Sequence, residues 1–117
     1  MRVFTPLLDE SLEGPVFLRS SNNELPDLVF DLHGQVDIEL VGRIDSKKGG
    51  IRATFGAVPD APVTEVILNM QGGKKGLIVN STNLCAAKNR ANAVLDAQNG
   101  KRLEIRPLVQ AQCGKKR

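Results

Sequence analysis

Apolar and polar residues alternate in short blocks along much of the chain. Val36-Asp37-Ile38-Glu39-Leu40 sets aliphatic side chains against acids with a period of two, the mark of a half-buried strand. The row continues with Gly42 and Ile44 inside and Arg43 and Asp45 outside, while Val41 interrupts the polar side. Ser46-Lys47-Lys48-Gly49-Gly50 supplies a turn. Ile51, Ala53, Phe55 and Ala57 then share one face opposite Arg52 and Thr54, which completes a β-hairpin. Pro59-Asp60-Ala61-Pro62 ends the run, because prolines so close together cannot sit in a central strand.

A second hairpin is predicted from Val66, Leu68 and Met70, which alternate with Glu65, Ile67 and Asn69. It turns through the glycines and lysines of 71–76 and returns along Leu77-Ile78-Val79, with Ile67 and Ile78 implying cover on both faces. A third runs from Ala93 toward Gln98, turns at Asn99-Gly100 and returns from Lys101 with Leu103 and Ile105 inside. Asn-Gly predicts a two-residue type I′ turn, since both residues tolerate positive φ. Pro107 limits that pairing, and Leu108-Val109 leads on to Cys113. Residues 25–33 read as a strand through Leu28, Phe30 and Leu32, although Leu25, Leu28, Val29 and Leu32 also fit a helix opened by Pro26 and stopped by Gly34. Residues 84–92 offer a helical turn at Ala86-Ala87. One strand is expected at Val16-Phe17-Leu18, with 1–14 and 114–117 as loose ends.

The sum is about seven or eight short strands, with one short helix at most, joined by hairpin turns. No βα alternation appears, so the class is all-β and antiparallel. One sheet alone cannot bury so many inner rows, whereas two sheets packed face to face can. The expectation is a single β-sandwich domain over 1–117, Ig-like or jelly-roll-like, with a small barrel as the alternative and an aliphatic core.

Composition narrows the function. The chain has 117 residues, 41% hydrophobic and 25% charged, which suits one globular domain. No apolar run approaches the ~18 residues of a membrane span. Four Phe and no Tyr or Trp leave few platforms for stacking sugars or single-stranded bases. The net charge of +3 is spread over the doublets Lys47-Lys48, Lys74-Lys75 and Lys101-Arg102, each beside a glycine, and over Lys115-Lys116-Arg117. Solvated turn tips account for these; so would a cationic rim that steers an anionic partner. A dedicated nucleic-acid binder concentrates more charge on one face, so no nucleic-acid partner is expected.

Parts for catalysis are few. His33 is the only imidazole, and Asp31 on the same strand face could orient it as a general base. No motif marks Ser20, Ser21 or Cys85 as a nucleophile. Asp27, Asp31, Asp37 and Glu39 alternate with aliphatic residues and lack the spacing of a calcium loop. The stretch Gly72-Gly73-Lys74-Lys75-Gly76 lacks the Gly-Lys-Ser/Thr ending of a phosphate loop. No catalytic residue, cofactor or metal site is expected, since two Cys and a distant His33 do not make a zinc set. Cys85 and Cys113 either form a bridge or remain two unrelated buried thiols. A bridge would contribute roughly 3.6 kcal/mol in the chain-entropy model and would imply an oxidising compartment. The opening Met1-Arg2-Val3-Phe4-Thr5-Pro6 has no apolar core of signal-peptide length, so the chain is expected to be cytosolic or a fragment of a longer precursor.

Four blocks carry a resemblance. They are Leu18-Arg19-Ser20-Ser21-Asn22 with Leu25-Pro26-Asp27-Leu28-Val29; Gly42-Arg43-Ile44-Asp45 through Gly50-Ile51-Arg52 to Val58-Pro59-Asp60-Ala61-Pro62-Val63; Met70-Gln71-Gly72-Gly73-Lys74-Lys75-Gly76-Leu77 with Asn80-Ser81-Thr82-Asn83-Leu84-Cys85; and Gln98-Asn99-Gly100-Lys101 with Arg106-Pro107-Leu108 and Cys113. Together they resemble the C-terminal module of large, repetitive, secreted actinobacterial proteins of unassigned function. That resemblance names no chemistry. It implies export, an excised signal peptide, an extracellular or cell-surface location and a Cys85–Cys113 bridge.

The expected role is a non-enzymatic structural or interaction module of a secreted or cell-surface bacterial protein, partnered by another protein module or a surface polymer. The alternative is a module that binds an anionic surface polymer or polysaccharide through Lys47, Lys48, Lys74, Lys75, Lys101 and Arg102. A small hydrolase built on Asp31 and His33 is a third reading.

Overall fold

The computed structural model describes residues 1–114; the basic run Lys115-Lys116-Arg117 and the end of the expected loose tail lie outside the described residues. The chain is all-β and its sheets are antiparallel. It divides into two compact units, Met1–Gln71 and Gly72–Arg117.

The first unit holds β1 (Arg2–Phe4), β2 (Leu12–Glu13), β3 (Val16–Arg19), β4 (Asp27–Leu32), β5 (Ile38–Lys47), β6 (Gly50–Phe55) and β7 (Glu65–Ile67). These make a four-stranded sheet in the order β3-β4-β5-β6 and a three-stranded sheet in the order β2-β1-β7. Residues 25–33 thus form a strand rather than a helix. In the four-stranded sheet Leu28, Phe30 and Leu32 of β4 share their inner face with Leu40 and Gly42 of β5 and Phe55 of β6. In the three-stranded sheet Leu12, Val3 and Val66 lie side by side. The two inner rows meet: Leu12, Leu28, Phe30 and Leu32 are buried together, with Val3, Ile38, Leu40 and Phe55 packed around them. This is the face-to-face burial that the alternating pattern requires.

Two details fix the packing. Phe30 and Phe55 stack with centroids 5.0 Å apart and planes 15° from parallel. Gly42 makes room for them, since a Cβ there would come within 2.5 Å of the Phe55 ring. On the outer face Val29 sits in register between Phe17 and Val41 and is 0% exposed.

The β5–β6 hairpin closes through Lys48 (φ 52°) and Gly49 (φ 79°) between the paired Lys47 and Gly50. Two successive positive φ values make a type I′ turn, whose twist matches the strands it joins. Lysine at the first position is unusual, because an L side chain is strained there.

Residues 1–14 are not a loose end. β1 is the middle strand of its sheet and Leu12 is only 2% exposed. Register explains the arrangement. Arg19↔Asp27 and Val16↔Phe30 continue through the Asp31 N–H to Pro15 carbonyl bond (3.1 Å) to Glu13↔His33. One strand therefore runs from Leu12 to Arg19 along β4, and its first residues also pair with β1. Through those first residues it belongs to both sheets.

The second unit holds a 3-10 turn (Gly73–Lys75), β8 (Asn89–Arg90), β9 (Ala93–Asp96), β10 (Arg102–Ile105) and β11 (Leu108–Val109). The predicted second hairpin does not form. β7 pairs with β1 instead, the glycine-lysine stretch closes on itself through the Gly76 N–H to Gly73 carbonyl (3.0 Å), and Leu77, Ile78 and Val79 are exposed without a strand assignment. The cover predicted over Ile78 is absent. Nor is there a helix at 84–92, where the Ala86 N–H closes a single turn on the Asn83 carbonyl (3.1 Å). The described residues hold eleven strands, three of them only two residues long, where seven or eight were predicted.

The third hairpin forms with a different turn. The Gly100 N–H donates to the Ala97 carbonyl (3.0 Å) and the Ala97 N–H to the Lys101 carbonyl (2.8 Å). Gly100 has φ 83°, but Asn99 does not have a positive φ. The loop is thus three residues with glycine in the left-handed position, not a type I′ pair. Asn99 instead accepts the Lys101 N–H on Oδ1 (3.0 Å). Pro107 interrupts the ladder without ending it, since β8 and β11 resume the same register. The bridge Cys85–Cys113 (Cα–Cα 5.7 Å) lies across the base in that register too. No described residue of this unit is buried. A hairpin without a buried face is marginal alone, so the bridge is its main constraint.

Two measurements check this account. Leu12→Ala should lose roughly 2–5 kcal/mol by denaturant unfolding, whereas Leu7→Ala, 67% exposed, should stay within about 0.5 kcal/mol. Reducing the bridge should raise amide exchange across β9 and β10 while β4 keeps its protection. Two titratable thiols in denatured, unreduced protein would contradict it.

Candidate functional site

Three places are open to chemistry: His33 with Asp31 and the basic turns, both read from the sequence, and a cavity beside the core.

His33 follows β4 at the bend where the two sheets join. Its backbone exchanges both hydrogen bonds with Glu13 (2.8 and 3.0 Å). Its ring lies between two carboxylates: Nε2 is 3.1 Å from Asp31 Oδ2 and Nδ1 is 3.1 Å from Asp37 Oδ1. The hydrogen bond with Asp37, then that with Asp31, raises the pKa of His33 above its ordinary 6.5. The protonated ring donates from both nitrogens. A general base needs a ring nitrogen free to accept a substrate proton, and here each nitrogen faces a carboxylate. Asp31 is indeed beside His33, as the strand spacing required, but the pair forms a clamp with Asp37. Around it, Glu39 stands opposite Asp31 and pairs with Arg19 (3.0 Å), and Glu13 pairs with Arg2 (2.6 Å). Asp31, Asp37, Glu39 and Glu13 are thus each engaged by a neighbour. Among the described residues no cluster of His, Cys, Asp or Glu is placed to hold a metal ion.

The basic turns are dispersed. Lys47 and Lys48 are exposed at the β5–β6 tip, in the first unit. Below them Arg52 holds Asp45 by Nε–Oδ1 (2.9 Å) and a second bond from Nη2 to Oδ2. That guanidinium hydrogen bond lowers the Asp45 pKa. Lys74 and Lys75 lie in the 3-10 turn and Lys101 in the β9–β10 turn, both in the second unit. Arg102 is committed within its hairpin, 3.1 Å from Glu104 and 3.5 Å from Asp96. No two of the doublets share an element.

The third place was not foreseen. Between the two sheets of the first unit lies a cavity of about 390 Å³. Its walls are core side chains, among them Val3, Leu12, Phe30 and Leu40. Its mouth carries exposed aliphatic residues: Leu7, Val36, Val58, Val63 and Val66. Pro59 and Ala61, read as a break between hairpins, complete one side. The only hydroxyl in the lining is Thr5, whose Oγ1 already accepts the Leu7 N–H (3.3 Å). Among the described residues no charged side chain takes part. A sequence signal existed in the aliphatic residues at 3, 7, 8 and 12, but their irregular spacing gives no strand period.

The clamp makes a pH prediction. A raised folded pKa means that protonation of His33 stabilises the fold fully below the unfolded value near 6.5, and that this contribution is lost as pH rises through the raised value. Proton NMR should place the His33 midpoint above 6.5, and Asp37→Asn should move it down. A midpoint that Asp37→Asn leaves in place would contradict the clamp. No family model, curated protein or solved structure matches the chain.

Proposed function

We propose that the chain is a non-enzymatic binding module of an exported or cell-surface protein, and that its first unit takes the hydrocarbon part of a small amphiphile between its sheets. The apolar cavity carries this reading. Its volume of about 390 Å³ falls within the ~300–1,000 Å³ typical of small-molecule sites. Its chemistry selects the occupant. A peptide segment would bring N–H and C=O groups whose burial costs free energy unless they are hydrogen-bonded, and the side chains of the described lining are apolar apart from the single Thr5 hydroxyl. Water meets the same difficulty, since a buried water needs two to four polar partners. An acyl chain or an uncharged ring needs none.

The clamped His33 supports the non-enzymatic part of the reading. The Cys85–Cys113 bridge supports export, because such bridges persist in oxidising compartments. Among the described residues no helix is long and apolar enough to cross a membrane.

Titration with N-phenyl-1-naphthylamine, an uncharged fluorescent probe, tests the reading. Saturable binding at one probe per chain is expected. Val36→Arg and Val63→Arg, which place charge at the mouth, should weaken it at least about tenfold, the cost of leaving a charge against an apolar wall. Val94→Arg on the exposed β9 should leave it unchanged. No saturable binding, or equal loss from Val94→Arg, would overturn the proposal.

A further inference from the structure

A sheet edge ends in backbone groups that seek a partner, and proteins guard such edges with prolines, charges, bulges or very short strands. In the first unit the other edges are guarded or covered. β3 is four residues long and follows Pro15, β7 has three residues, and β2 is paired on one side with β1 and on the other with His33. β6 is different. It is six residues long, contains no proline, and lies at the end of the four-stranded sheet, with β5 its only strand neighbour among the described residues. Its one charge, Arg52, is already held by Asp45 across the hairpin. Ile51 is 68% exposed.

Register says which backbone groups are offered. Lys47 and Gly50 flank a two-residue turn, so they form a hydrogen-bonded pair. The pattern then alternates along an antiparallel ladder. Gly50, Arg52 and Thr54 bond toward β5, while Ile51, Ala53 and Phe55 direct their N–H and C=O groups away from it.

We propose that β6 pairs antiparallel with β6 of a second copy, about a two-fold axis at Ala53, to form one continuous eight-stranded sheet. This is the only register in which all three outward-directed residues find partners within the other β6. Ala53 pairs with its own copy, and Ile51 pairs with Phe55 of the second chain in both directions. Antiparallel partners project to the same side, so Ile51 gains an aromatic neighbour on the apolar face. On the polar face Arg52 meets Thr54, and no like charges stand opposite. The Lys48 tips point to opposite ends, each beyond the point where the other strand stops at Phe55. A heterologous partner strand would match the same hydrogen bonds, but it has no reason to repeat this apolar and polar order. The self-complementary face is what an isologous dimer needs.

Sedimentation velocity across a concentration series tests the proposal. A reversible monomer–dimer equilibrium is expected. Ala53→Pro should abolish it, since it removes an outward N–H that the native hairpin does not use; Ala53→Lys, which opposes two ammonium groups at the axis, should do the same and covers the case in which the proline variant fails to fold. In residue-resolved exchange, the amides of Ile51, Ala53 and Phe55 should gain protection as concentration rises, while those of Arg52 and Thr54 stay as they are. A monomer at every concentration, or a dimer that survives Ala53→Lys, would overturn it.

Discussion

Where the strand running from Leu12 to Arg19 passes Asp31, there is room for a hydrogen atom and nothing larger. A Cβ on Gly14 would stand 1.5 Å from the Asp31 carbonyl oxygen. That closeness lets one strand serve two sheets. Gly14 also exchanges backbone bonds with Met1 (2.8 and 3.1 Å), which docks β1 beside it. From this corner the rest of the first unit follows. β1 brings β7, β4 brings β5 and β6, and the two apolar rows close on Leu12 and Phe30. The His33 clamp reinforces the same corner from outside.

The cavity lies between the same two sheets, walled by residues that are also core. A pocket made this way has no separate scaffold; the side chains that hold the sheets together are those a ligand would touch. The free end of the four-stranded sheet, β6, is the second consequence. The two units meet the cost of ordering a short chain differently. The first does so by burying aliphatic side chains. The second buries none among the described residues and relies on a ladder with a covalent tie at its base.

Strands with strict alternation were legible from the sequence. The β5–β6 hairpin, its inner and outer faces and β4 all follow from a period of two that burial then rewards. The bridge was legible as a possibility, and one unused signal would have located it: Cys85 and Cys113 are equidistant from Asn99, so a continuous register places them opposite each other. Residues 1–14 were not legible, because β1 and β2 are too short for a period to show and depend on partners far along the chain. The second predicted hairpin failed for the converse reason. Residues 65–67 and 77–79 alternate suitably, but β1 offered β7 a better-buried partner. Asn99-Gly100 marked the right place for a turn and the wrong type, since local preference for positive φ yields to the hydrogen bonds that the flanking residues can close. The acids and His33 were placed correctly on one face, whereas the clamp required knowing that the chain folds back to bring Asp37 to the ring.

The central claim is the steric one at Gly14, and comparison of two glycine-to-alanine variants by denaturant unfolding tests it most directly. Gly56 has nothing within 4 Å of its would-be Cβ, so Gly56→Ala should change stability by no more than about 1 kcal/mol. Gly14→Ala should lose about 3 kcal/mol, the upper end of the usual cost of overpacking, because backbone must move to admit the methyl group. Equal stabilities for the two variants would contradict the account.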